Sequence, residues 1–149
     1  MVPHNSERVV AVTSGTPFAV IAGLALCGCA LNGGNADNAG ALNLIAQGRT
    51  GAEVIVEGSV LRVLHTSDSD SGAHERFVVA VKSGRDEQDI LVADNISIAR
   101  AAPVRAGDDV TVKGELAIDP TGPVIHWTHH DPRGRHVAGF IRDHGVIYD

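Results

Sequence analysis

The sequence predicts a small, mainly all-β barrel of five to six strands with a short N-terminal helix, and three observations carry that expectation. The 149 residues are 44% hydrophobic but only 3% aromatic, so the core has to be built from Val, Ile, Leu and Ala, whose β-branched members suit a pleated surface. Several stretches alternate apolar and polar residues with the period of two that a half-buried strand needs. Their order is a long strand broken by a glycine, a meander, an irregular connection, then further strands. That is the order of an OB-like barrel, with a split sandwich or an SH3-like barrel as the rival.

Before the barrel comes a leader. Residues 18–31 form an apolar, small-residue run, about half to two-thirds of the ~20 apolar residues that a membrane-spanning helix needs, which reads as a signal-peptide core. It ends in Leu26-Cys27-Gly28-Cys29, a resemblance to the bacterial lipobox: an aliphatic residue three before the cysteine and a small one just before it. Cys29 is thus the lipidation candidate. Cys27 would leave with the leader, so the mature chain would hold one acylated cysteine and no disulfide. A plain cleaved signal or a short anchor is the bland alternative, and a lone Arg8 beside Glu7 departs from the usual net-positive start. The non-acidic Ala30 resembles lipoproteins forwarded to the outer membrane, so export and a lipid anchor on its periplasmic face are expected. The organisation is then a lipoprotein signal peptide over 1–28, a Gly- and Asn-rich tether over 29–40, and the barrel domain over 41–149.

From there the elements follow in turn. Ala41, Leu42, Leu44 and Ile45 have helical spacing, with Gly48 as a stop, so 38–47 reads as a short packing helix. Val54, Val56, Val60 and Leu61 place the first strand over 53–65, bent or bulged at Gly58, with a polar turn over 66–72. Strands over 76–82 and 88–93 flank a turn at 83–86. Residues 95–107, which contain Pro103, read as irregular with a helical turn near 96–101. The fourth strand is 109–118, and Asp119-Pro120-Thr121-Gly122 has the residues of a type I turn. A fifth strand is expected over 124–130 and a sixth over 136–141, joined at Asp131-Pro132-Arg133-Gly134. Residues 143–145 then turn into 146–148.

The chemistry is concentrated in that last hairpin. If 131–134 closes it, His129 lies opposite His136 and His130 opposite Arg135, with opposed Cβ atoms about 4.5–5.5 Å apart. His129 and His136 are therefore candidate ligands for a divalent transition metal, with Asp131, His126, His65 or His74 as a third. Arg133 and Arg135 flank a glycine and could grip a phosphate or carboxylate. The candidate ligand-binding set is His126, Trp127, His130, Asp131, Arg133 and Arg135. Catalytic candidates are His130 and Arg135, an imidazole base beside an oxyanion-stabilising guanidinium, although no Ser or Cys nucleophile motif accompanies them. Simpler roles stand beside these. Asp131, Pro132 and Gly134 suffice to make a turn, Trp127 suits packing, and a His/Arg network can lock a barrel while binding nothing. Asp68, Ser69, Asp70 and Ser71 lack the glycine and distal Glu of a calcium loop. A formal net charge of −6 disfavours non-specific nucleic-acid binding.

The string His126-Trp127-Thr128-His129-His130-Asp131-Pro132, continued through Arg133-Gly134-Arg135-His136, resembles the HWTHHDP mark of a bacterial family of domains of unknown function, number three-four-six-five. The match extends to His74-Glu75-Arg76-Phe77, Ala93-Asp94-Asn95-Ile96 and Gly139-Phe140-Ile141. The resemblance implies a small secreted or lipidated protein and no established activity. Three readings are left: an exported lipoprotein whose hairpin binds a metal or an anion, a metal-dependent hydrolase such as a nuclease or phosphodiesterase, and a structural or interaction lipoprotein.

Overall fold

The computed structural model describes residues 34–149, so the expected signal peptide, Cys29 and the first part of the tether lie outside the described residues. One helix, α1 (Asn38–Ala46), precedes seven strands: β1 (Ala52–Ser69), β2 (Gly72–Ser83), β3 (Asp86–Asn95), β4 (Asp109–Asp119), β5 (Gly122–His126), β6 (Phe140–Asp143) and β7 (Val146–Tyr148).

The strands pair in the order β1-β2-β3-β5-β4, and an added β1–β4 pairing closes the ring. All neighbours in it are antiparallel except β3 and β5. A five-stranded closed ring with that crossing is an OB-like barrel. Closure depends on β1 serving two partners. Its residues 52–59 pair with β4 and 58–69 with β2, so the changeover falls at Gly58 and Ser59. A Cβ at Gly58 would collide with the Ala80 carbonyl oxygen, which is why the changeover sits at a glycine. The register shifts come later, between Val60 and Arg62 and between Leu64 and Ser67.

The interior is filled by alternate residues: Val54 and Val56 from β1, Phe77, Val79 and Val81 from β2, Ile90 and Val92 from β3, Val110, Val112 and Leu116 from β4, and Ile125 from β5. One end is capped by α1 through Ala41, Leu42, Leu44 and Ile45, and Ala102 and Val104 from the 96–108 connection join the same core.

The tether ends earlier than 29–40. Asp37 caps α1 by accepting from the Gly40 amide, and its own amide donates to Ile55 O at 2.8 Å. The Asn38 side chain then donates to Glu57 O and Lys82 O and accepts from the Glu57 amide, each at 2.9 Å. A carboxamide can imitate a strand's backbone, so a residue type that reads as linker here docks the helix on β1 and β2.

Candidate functional site

The largest departure from expectation is where the site forms. β5 stops at His126, opposite Glu115 of β4, and β6 starts at Phe140, opposite Lys113, so only Gly114 separates the two points on β4. Residues 127–139 are an excursion out of a strand that otherwise continues along β4: an Ω-loop with adjoining ends. The expected strands over 124–130 and 136–141, and the hairpin register between them, are therefore replaced. Trp127 takes φ 54°, in the left-handed region that a bulky side chain rarely enters, and this breaks the alternation. The loop closes where the Gly139 amide donates to His129 O at 2.9 Å. A Cβ at Gly139 would strike the carbonyl oxygens of Trp127 and Lys113.

A buried hydrogen bond anchors the loop. Thr128, fully buried, donates its hydroxyl to Asp94 Oδ1 at 2.7 Å. Asp94 is also fully buried, and its Oδ2 has no partner among the described residues. Burial pushes its carboxyl upward in pKa, against the opposing pull of the Thr128 hydroxyl and the His129 and His74 imidazoles. Its cross-strand neighbour Glu75 accepts from the Ala102 amide at 2.8 Å. Desolvation, reinforced by the Asp94 charge, raises Glu75 to about 7.

On this anchor the aromatic rings stack in series. Trp127 lies 4.9 Å from His136 at 22° and 5.1 Å from His126, and His129 meets His136 edge-on at 4.9 Å. The pair expected from a hairpin register thus comes together through the Ω-loop instead. His129 Nδ1 lies 2.6 Å from His130 O, and His136 Nδ1 lies 2.9 Å from Val137 O. A carbonyl oxygen only accepts, so each Nδ1 carries the proton and each Nε2 keeps its lone pair in the neutral ring. His126 is held below its ordinary pKa by burial, partly offset by Glu115, whose Oε1 is 3.6 Å from its Nε2.

Asp131 plays the turn-forming role its position suggests: Oδ1 accepts from the Arg133 amide at 3.0 Å, and Oδ2 from the His136 amide at 2.6 Å. The His136 amide foremost, then the Arg133 amide, holds this carboxyl below the usual range despite partial desolvation. Its Oδ1 is 3.9 Å from His136 Nε2.

Between the loop and the β1–β2 hairpin tip lies a cleft of about 660 Å³. One wall carries His126, Trp127, His129, Asp131, Pro132, Arg133, Arg135 and His136, and the facing wall carries Asp70, Ser71, His74, Ala93, Asn95 and Ile98. His130, expected both to bind and to act in catalysis, is exposed and lines none of it, because the chain has already left the sheet. His65 lies outside it too; its carbonyl accepts from Arg76. Sequence reasoning missed Asp94 and Glu75. A parity signal was present: Asp94 follows interior Ile90 and Val92 at two-residue steps, as Glu75 precedes interior Phe77 and Val79.

Two other places gather polar side chains. A concavity of about 540 Å³ near Asn38, Lys82, Glu87 and Asp109 is lined in part by the exposed Lys82–Glu87 ion pair. Among the described residues, Asp108, Asp143 and His144 form the one trio with ligand atoms within 4.8 Å of one another.

Fold and cleft together define an OB-like domain with a histidine- and arginine-lined cavity. The family described as "Protein of unknown function (DUF3465)" matches residues 25–149, and the chain belongs to that family. No curated protein matches it. A solved small single-stranded DNA-binding protein from Streptomyces coelicolor is similar over 50% of this chain and 84% of its own, at 22% identity and a TM-score of 0.43. Among the described residues, no helix is long and apolar enough to cross a membrane.

Proposed function

We propose that this is an exported, lipid-anchored binding protein whose Ω-loop cleft takes a small anionic ligand bearing phosphate or carboxylate groups. One observation carries the reading. Arg133 and Arg135 line the cleft and, among the described residues, neither forms an ion pair, although the chain as a whole is acidic. Guanidinium pairs match such groups bidentately. The anchor is supported by Leu26 and Gly28 at the lipobox positions before Cys29, and the periplasmic face of the outer membrane by Ala30 after it.

Trp127 is the only tryptophan and lines the cleft, so its fluorescence reports the site directly. Titration with pyrophosphate or citrate at low salt should give a saturable change in its emission, lost in the Arg133→Ala, Arg135→Ala double variant. A response that survives the double variant, or none in the native chain, refutes the anion site. Cellular labelling with a palmitate analogue should be lost on Cys29→Ser, and equal labelling of both refutes the anchor.

A purely structural role for the cluster has one observation in its favour, the buried Thr128–Asp94 hydrogen bond that ties the loop to β3. Among the described residues, the side chains of His129 and His136 hydrogen-bond only to the carbonyl of the next residue along the chain. That leaves their Nε2 atoms free for chemistry, the feature on which a metal-dependent hydrolase would draw.

A further inference from the structure

Resting on that reading of the cleft, we propose that His129 Nε2, His136 Nε2 and Asp131 Oδ1 hold one divalent first-row transition metal, leaving its other positions to water or the anionic ligand.

The three side chains form a donor set with the wrong sign for an anion and the right one for a cation. His129 is 4% exposed, and the side chains of His136 and Asp131 are 8% and 7% exposed. Both imidazoles commit Nδ1–H to a backbone carbonyl, the orientation that metal-ligating histidines show. Among the described residues, neither Nε2 has a hydrogen-bond partner, and neither is sealed from solvent as Asp94 Oδ2 is. Asp131 is held in place by the Arg133 and His136 amides that donate to its two oxygens, and it is the acidic member of the set.

The Asp131 Oδ1 to His136 Nε2 gap of 3.9 Å is too long for a hydrogen bond. An ion bound tetrahedrally to both would set that gap at roughly 3.4 Å. Adjustment of a few tenths of an ångström closes it, and His129 has to turn in further, since these three atoms are not yet within 4.8 Å of one another. Two histidines and one carboxylate leave coordination positions free. Arg133 and Arg135 line the same cleft and suit an anion seated on such an ion.

The test is equilibrium dialysis of the untagged full-length chain in detergent against zinc alone, with elemental analysis, beside His136→Ala and His129→Gln variants whose folding is checked by circular dichroism. One zinc per chain is expected, with affinity falling on the order of 100-fold or more in each folded variant. If both variants unfold, cobalt(II) added to the native chain decides: imidazole proton resonances of His129 and His136 shifted by the paramagnetic ion support the site, and unshifted ones overturn it. Zinc retained by both folded variants and lost in Asp143→Asn overturns the proposal and moves the ion to the Asp108, Asp143 and His144 trio. Absence of zinc while Trp127 still responds to pyrophosphate overturns the metal and leaves the anion cleft standing; loss of both responses removes the two readings together.

Discussion

Replacing Glu75 by Gln should make the folded chain more stable, and only above mildly acidic pH. Glu75 sits on an interior row beside Asp94, and its carboxyl is raised from 4.5 to about 7, chiefly by desolvation. The unfolded chain therefore releases this proton near pH 4.5 and the folded chain near 7. Between those values the folded state binds more protons, so this group's contribution is complete below 4.5 and is lost as the pH rises to 7. A shift of that size corresponds to about 3.4 kcal/mol if nothing screens it. Glu75 is only part-buried, so solvent screening reduces this to roughly 1.5 kcal/mol. Gln keeps an oxygen for the Ala102 amide and carries no charge, which isolates the ionisation. Urea unfolding at pH 4.5, 6 and 8, followed by circular dichroism, should show the variant's advantage growing by about 1.5 kcal/mol and levelling off above pH 7. A difference that stays constant from pH 4.5 to 8 would refute the reasoning.

Thr128→Val keeps the shape and removes the donor to Asp94, leaving both carboxyl oxygens unmatched; urea unfolding should show a loss of about 1–3 kcal/mol. Gly139→Ala forces a methyl into the Trp127 and Lys113 carbonyls, so it should destabilise by about 1–3 kcal/mol and shift Trp127 emission even without ligand, whereas unchanged emission would mean that the loop closes elsewhere. Asn38→Ala removes three hydrogen bonds between α1 and the barrel and should lower the thermal midpoint by several degrees, about 4–8 °C per kcal/mol for a domain near this size.

Most of the barrel was legible because its strands carry their own pattern. Val54, Val56, Phe77, Val79, Ile90, Val92, Val110 and Val112 alternate, and alternation alone places them inside. The close approach at Gly58 was legible too, since a glycine inside a strand pattern signals one, but the irregularities expected there lie between Val60 and Arg62 and between Leu64 and Ser67. The Ω-loop was not. Residues 124–130 alternate as a strand does, and nothing local announces that Trp127 turns left-handed or that Gly139 returns against β4. Those facts depend on partners distant in sequence. The composition of the site was therefore readable, since eight residues of one short stretch line the cleft, while its geometry and facing wall were not. His130 shows the consequence: a hairpin register would face it into the site, and the Ω-loop leaves it exposed outside the cleft.

The most direct measurement is an amide NMR titration of the isotope-labelled native chain with pyrophosphate, which tests whether the Ω-loop cleft is the ligand site. Shifts should concentrate in residues 127–139 and at His74, Asn95 and Ile98 across the cleft. Shifts centred on the concavity near Lys82 and Glu87, spread over the barrel's outer face, or absent at saturating probe would contradict the account.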